Sequence, residues 1–153
     1  MGDLQHVAVR VPRGADSWQI AVDVERALAR RAVDGSPGGI SARPLAEGKG
    51  WTARDMICTS GPQDRPFEER HSGVSIAIVV AGSFQYRSAA GRELMTPGSL
   101  LLGNPGDCFE CGHDYGAGDR CISFHYDPDY FACLAAGAGT DFRGPRLPPL
   151  RAL

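Results

Sequence analysis

The sequence lacks the features that mark membrane, secreted or nucleic-acid-binding proteins. No apolar run approaches the ~18 residues of a membrane span, and the longest, Ile76 to Ala81, suits a buried strand. The N-terminus has no charged start followed by an apolar run, as a secretory signal would. Lysine and arginine form no cluster. We therefore expect a cytoplasmic protein that enters no membrane and binds no nucleic acid directly through this chain.

The cysteines do not form the pattern of a disulfide framework. Their number is odd and their spacing uneven, which predicts reduced thiols in the cytoplasm. The five residues are Cys58, Cys108, Cys111, Cys121 and Cys133. A length of 153 residues with 42% hydrophobic residues and a net charge of -2 indicates one ordinary globular domain.

The first third of the chain predicts a short strand and one helix. Residues 6–11 alternate like a strand that ends at Pro12. From Ser17 to about Val33 the apolar residues follow a helical stripe, which Asp16 or Ser17 can cap. Because this stripe is narrow, we expect residues 1–44 to pack as a strand and a helix on the surface of a larger unit.

After Gly50 the hydrophobic pattern changes to a period of two residues. Glycine- and proline-rich turns separate the predicted strands, and a weak helix follows at residues 129–136. The strands are predicted at residues 51–58, 74–80, 84–87, 92–95, 100–102, 108–113 and 120–126. This spacing is typical of a closed β-barrel or jelly roll. We assign the barrel to residues 45–144 and the start of a linker to residues 145–153.

The last two predicted strands carry a candidate metal site. If residues 114–119 form the loop of a hairpin, His113 lies opposite Cys121 and Cys111 lies on the same face. Two thiols and an imidazole are three of the four ligands of a tetrahedral zinc site. Zinc is therefore a candidate cofactor.

The fourth zinc ligand is left open among three residues. These candidates are His71, His125 and Cys108. The alternative to a metal site is structural, because buried cysteines pack as small hydrophobic residues. His113 would then be a hydrogen-bonded residue.

A second set of residues resembles the two sequence signatures of the cupin superfamily. The first signature carries two histidines one residue apart, then a glutamate and a glycine. Here those positions hold Glu69, His71, Ser75 and Gly82. The histidine of the second signature falls on Phe109. The resemblance implies a mainly β, cupin-like jelly-roll barrel, with an N-terminal helix and a short C-terminal helix, that lacks the usual catalytic metal.

An ordered set of short motifs is more specific. Residues 64–71, 81–88, 97–104, 109–113 and 118–121 resemble the N-terminal cupin-like domain of AraC-type transcriptional regulators. The resemblance covers roughly residues 45–150. It implies a barrel that binds a small-molecule effector or forms a homodimer. In that family a separate helical domain reads DNA.

We therefore predict a ligand-sensing regulatory domain that is not an enzyme and has no catalytic residues. The expected effector-binding residues are Glu69, His71, Phe109 and His125. Two alternatives are kept. One is a small cupin metalloenzyme with Fe or Mn at Glu69, His71 and His125, and the other is a zinc-stapled dimerisation module.

Overall fold

The computed structural model describes residues 19–66, 68–138 and 146–147. The elements in chain order are α1 Gln19–Asp34, β1 Ile40–Gly48, β2 Trp51–Cys58, β3 Glu68–Arg70, β4 Val74–Gly82, β5 Phe84–Ser88, β6 Gly91–Met95, β7 Leu100–Gly103, β8 Cys108–Gly112, β9 Asp119–Tyr126, α2 Pro128–Ala138 and β10 Arg146–Leu147. Neither α1 nor α2 combines the length and apolar character needed to cross a bilayer. The predicted strand at residues 6–11 and the predicted helix caps lie outside the described residues.

Two antiparallel sheets build the domain. The six-stranded sheet has the order β1-β2-β9-β4-β7-β10, and the four-stranded sheet has the order β3-β8-β5-β6. Both sheets supply the buried core, which consists of Val79, Phe84, Tyr86, Met95, Leu101 and Cys121. Packing of two inner faces against each other is the arrangement of a jelly roll. The predicted mainly β fold with two helices is confirmed.

Three strands were not predicted: β1, β3 and β10, which pairs with β7 inside the segment predicted as the start of a linker. β1 lies along the edge of the larger sheet, where most of its residues are exposed, and its pairing with β2 shifts between Pro44 and Ala46. An exposed edge with a bulge and a proline shows no clean alternation of apolar residues. β3 is only three residues long. β1 also runs across the domain boundary predicted between residues 44 and 45.

The predicted hairpin of residues 108–113 and 120–126 is wrong. β8 pairs with β3 and β5 in the smaller sheet, whereas β9 pairs with β2 and β4 in the larger sheet. The glycine-rich segment after β8 therefore crosses from one sheet to the other. A period of two residues predicts which side chains share a face, but it does not predict which strand lies alongside.

A buried ion pair joins β2 to β9 and to the helix. Arg120 donates from Nε and Nη2 to the two carboxylate oxygens of Asp55, both at 2.7 Å, and the two side chains are almost fully buried. Asp23 of α1 accepts from Arg120 at 3.3 Å, and Arg43 of β1 donates to Asp55 at 2.7 Å. These contacts hold α1 against the outer face of the sheet and add a side-chain link between the paired strands β1 and β2.

Removal of the Asp55 charge should weaken the fold severely. Asp55→Asn removes the charged carboxylate that accepts from both Nε and Nη2 of the buried Arg120 guanidinium, and loss of one partner of a buried pair costs about 3–5 kcal/mol. Arg43→Ala is the matched control, because the Arg43 side chain is 58% exposed and an exposed pair contributes about 0–1 kcal/mol. Urea unfolding of both variants measures the difference. Equal losses would contradict a dominant role for Asp55–Arg120.

Candidate functional site

The space between the two sheets holds a cavity of about 240 Å³. On the same measure one buried water needs about 10–15 Å³, so a small organic molecule has room. Strands of both sheets line the cavity. Its apolar wall includes Met56, Ala77, Phe84 and Leu101.

One face of β9 lies along the cavity from end to end. Asp119, Cys121, Ser123 and His125 all line the cavity. The residues between them point away because side chains alternate along a strand, and Arg120 makes its ion pair on the outer side. The sequence alone left open which face of this strand looks inward. In the structure the polar, thiol-bearing face of β9 looks inward.

Glu69, His71 and His125 form the upper end of the cavity. Glu69 lies opposite Phe109 in the pairing of β3 with β8, and His125 lies opposite Ser75 in the pairing of β9 with β4. The imidazole of His125 shares a hydrogen bond of 2.9 Å with the Ser123 hydroxyl. All four predicted effector-binding residues therefore line one cavity. Their role in binding stays a prediction.

The His71 ring lines the cavity and contacts protein groups along its Nε2 atom, one face and its Nδ1–Cε1 edge. Its Nε2 lies 3.0 Å from the Tyr86 hydroxyl, and its face stacks on Phe109 with ring centroids 4.2 Å apart. Its Nδ1–Cε1 edge faces Gly103 so closely that a Cβ at residue 103 would overlap the ring and the Ser75 hydroxyl. Only glycine fits at residue 103.

The contacts of His71 do not fit the catalytic metal centre that is usual for the cupin signatures. Both nitrogens of His71 are turned toward protein groups, and Phe109 covers the ring at the position of the usual second histidine. Ser75 offers a hydroxyl where the signature has a carboxylate. A facial triad for Fe or Mn needs two histidines and a carboxylate with open positions between them. Glu69, His71 and His125 include these residue types, but their ligand atoms do not form a group within 4.8 Å of one another in the part of the chain that the structure describes, so they do not supply that arrangement.

Burial favours the uncharged forms of the titratable side chains at the upper end. It lowers the pKa of His71, an effect to which His125 adds and which Asp107 opposes. Burial also lowers the pKa of His125, together with the nearby Arg54. The same cause raises the pKa of Glu69. The two imidazoles are therefore neutral at neutral pH, and they can donate or accept hydrogen bonds to an uncharged ligand.

Cys58, His113 and Asp119 form the lower end of the cavity. Their ligand atoms all lie within 4.8 Å of one another, and all three residues are buried. His113 Nε2 lies 2.6 Å from a carboxylate oxygen of Asp119. Burial opposes a charge on the imidazole, but the hydrogen bonds with Asp119 and Cys58 outweigh it and raise the pKa of His113 to about 9.

The remaining cavity thiols are those of Cys111 and Cys121. Burial and the neighbouring Asp119 carboxylate raise the pKa of both. The Cys121 thiol also donates to Asp119 at 3.6 Å. Both groups are therefore protonated thiols in the protein without a metal, and none of the five cysteines forms a disulfide.

The structure divides the predicted metal ligands between the two ends. Cys111, His113 and Cys121 line one cavity, although they come from opposite sheets rather than from a hairpin. Of the four predicted ligands only His113 belongs to the described group whose ligand atoms lie within 4.8 Å of one another; His71 bonds through its backbone to Asp107 before β8, whereas His113 follows β8. Those positions are six residues apart, or roughly 20 Å along a strand.

The sequence analysis missed Cys58 and Asp119. Asp119 was placed in a loop, yet it has the same parity as Cys121 and His125, so extending the alternation by one residue would have found it. Cys58 lies 61 positions before Asp119 in the chain and directly opposite it in the pairing of β2 with β9. No local pattern signals that pairing.

The profile of the AraC-like ligand binding domain family matches residues 56–152. This match covers more than half of the chain. The chain belongs to the AraC-like ligand binding domain family. No curated protein sequence matches it.

Solved structures show the same type of fold. The EutQ protein of Clostridium difficile has 11% identity and a TM-score of 0.52 over 84% of this chain and 100% of its own. A protein of unknown function from Rhizobium leguminosarum has 15% identity and a TM-score of 0.51 over 65% of this chain and 91% of its own. A cupin superfamily protein from Desulfitobacterium hafniense has 10% identity and a TM-score of 0.48 over 60% and 80%. At these identities the likeness concerns the fold alone.

Addition of one methyl group at residue 103 should displace His71. Gly103→Ala places a Cβ on the His71 ring edge, and overpacking of this kind costs about 1–3 kcal/mol. Gly116→Ala is the matched control, because nothing lies within 4 Å of its Cβ. Thermal unfolding measures stability, and the imidazole NMR signals report the movement of His71. Equal behaviour of the two variants would contradict the tight packing.

His71 and His125 should titrate below their ordinary pKa of 6.5. Because the folded state holds them neutral, the unfolded chain binds more protons as the pH falls below about 6.5, and stability decreases from there toward the lowered pKa values. Imidazole NMR titration measures the midpoints, with His71→Gln and His125→Gln assigning the signals. Midpoints at or above 6.5 would contradict the burial of these rings.

Proposed function

We propose that this chain is the effector-sensing domain of an AraC-type transcriptional regulator. The observation that carries the proposal is the cavity between the sheets, with its apolar wall and its neutral histidines. A concave, largely apolar pocket with a few convergent polar groups is the usual form of a small-molecule site. Membership of the AraC-like ligand binding domain family supports the same function.

The lining defines the chemistry of the effector. No hydrogen bond or ion pair joins Glu69 to another residue that the structure describes, and burial alone raises the pKa of this carboxyl. Glu69 is partly exposed, so a ligand that covers it and donates a hydrogen bond replaces the water that its carboxyl would lose. The proposed effector therefore has an apolar body and a hydroxyl or amine group that reaches Glu69.

Strand β7 offers a route from the cavity to the C-terminal segment. Leu101 lines the cavity, and its backbone lies opposite Arg146 where β10 pairs with β7. β10 is only two residues long, so this pairing is easily made or lost. An effector that prefers one arrangement of β7 shifts the population of the β10 pairing, which is how ligand binding biases a downstream element.

The proposal has four further parts. The chain acts as a sensor rather than an enzyme, it works in the cytoplasm, it pairs with a second copy of itself, and DNA is bound by a separate helical domain. The reading frame after Leu153 tests the last part. Two helix-turn-helix patterns there support the regulator, and their absence contradicts it.

Filling the cavity should abolish ligand binding. Ala77→Leu adds three carbons to the cavity wall, and Ala29→Leu makes the same change at an exposed position of α1. A thermal-shift screen of small alcohols, polyols, amines and phenols should find a compound that stabilises the wild type and the Ala29→Leu variant. A ligand at 100 times its Kd adds about 2.7 kcal/mol.

The comparison of the two leucine variants decides whether the cavity is the binding site. Ala77→Leu should lose the stabilisation while it remains folded by circular dichroism. A compound that stabilises both variants equally binds elsewhere, and a screen without any stabilising compound contradicts the proposed sensor.

A further inference from the structure

The lower end of the cavity gathers the donor atoms of a transition-metal site. Cys58, His113 and Asp119 have ligand atoms within 4.8 Å of one another. They are 8%, 5% and 7% exposed. These three buried groups are hydrogen-bond partners of one another. A thiol, an imidazole and a carboxyl are also the three ligand types that zinc takes in proteins.

Three separate segments of the chain bring these donors together. Cys58 ends β2 and lies directly opposite Asp119, the first residue of β9, in the larger sheet. His113 follows β8 of the smaller sheet. The close approach of Gly82 to the backbone of residues 118 and 119 leaves no room for a side chain at residue 82, so the start of β9 is held in place. The cluster thus links the two sheets.

The spacing of the donors needs little change to hold an ion. His113 Nε2 and the Asp119 carboxylate are 2.6 Å apart, which is a hydrogen bond. Two ligands at 2.0–2.1 Å from a tetrahedral zinc ion are about 3.3 Å apart. The ion would therefore take the place of the proton between His113 and Asp119, with a movement of these two groups of less than about 1 Å, and this proton and the Cys58 thiol proton would be released to solvent.

We propose that Cys58, His113 and Asp119 form a zinc site. The Cys58 thiolate and the Asp119 carboxylate together carry two negative charges, which balance Zn²⁺ in a buried place where a net charge would be costly. Thiolate and imidazole ligands disfavour Mg²⁺ and Ca²⁺, which take oxygen ligands. The Cys121 thiol, 3.6 Å from Asp119 Oδ1, is a further sulfur donor beside the cluster.

This site differs from the metal centre of the cupin signatures. Those positions fall on the upper end of the cavity, around Glu69 and His71. Asp119 and His125 stand at the two ends of β9, six residues and roughly 20 Å apart. The proposed zinc site does not depend on the effector, so the two proposals can fail separately.

Zinc binding is measured with the whole chain, reduced and stripped with a chelator. Titration with Zn²⁺ alone against a chromophoric chelator should show one equivalent bound, together with a rise in Tm. Co²⁺ in place of Zn²⁺ should give the thiolate charge-transfer band and the intense visible absorption of a tetrahedral site. This spectrum is recorded on the wild type, so it does not depend on any variant folding.

Variants identify the ligands. Loss of an outer partner alone lowers metal affinity 10–100-fold, so Cys58→Ser, His113→Gln and Asp119→Asn should each weaken Zn²⁺ binding by at least about 100-fold. Cys133→Ser is the matched control, because this thiol is exposed on α2. Circular dichroism checks that each variant is folded.

Two results would overturn the proposal. One is a wild type that binds no Zn²⁺ at micromolar concentration or gives a Co²⁺ spectrum without a thiolate band. The other is a Cys111→Ser variant that loses affinity as strongly as Cys58→Ser, since the ligand set would then include a residue outside the cluster.

Discussion

The ion pair between Asp55 and Arg120 decides which face of β9 lines the cavity. Arg120 is 4% exposed and bonds to both oxygens of Asp55 on the outer side of the sheet. A slip of one residue in the pairing of β2 with β9 would turn the guanidinium into the cavity and the thiols away from it. Since a buried charge without a partner is costly, the pair excludes that alternative. The register and the chemistry of the site therefore depend on the same contact.

The period of two residues predicted most of the strands but not their neighbours. β4 was predicted on a different ground, because it is a run of apolar and β-branched residues, and Val79 of this strand packs in the core. The period fails for β1, because most residues of this edge strand are exposed, so buried apolar and exposed polar residues do not alternate along it. It also joined β8 and β9 into a hairpin, although a jelly roll places them in opposite sheets. Which strand lies alongside which is set by packing over the whole domain.

The candidate site was predictable in part for the same reason. Cys111, His113 and Cys121 were predicted as metal ligands, and they line one cavity, but only His113 belongs to the described group of close ligand atoms. The partner Cys58 was missed because it reaches the cluster through the long-range pairing of β2 with β9. His71 was predicted as a possible zinc ligand, but it lies at the upper end of the cavity. Spacing along a sequence does not give distance along a barrel.

The two ends of the cavity combine different chemistry within one rigid unit. The upper end has two imidazoles that burial keeps neutral and the Glu69 carboxyl, which has no hydrogen bond or ion pair to another residue that the structure describes, and this suits a ligand that comes and goes. The lower end is closed by its own contacts, with His113 bound to Asp119 at 2.6 Å. An ion at the lower end would hold β2, β8 and β9 together without occupying the upper end. Metal binding would therefore stiffen the walls between which an effector fits, and a stiffer site loses less conformational entropy when its ligand binds.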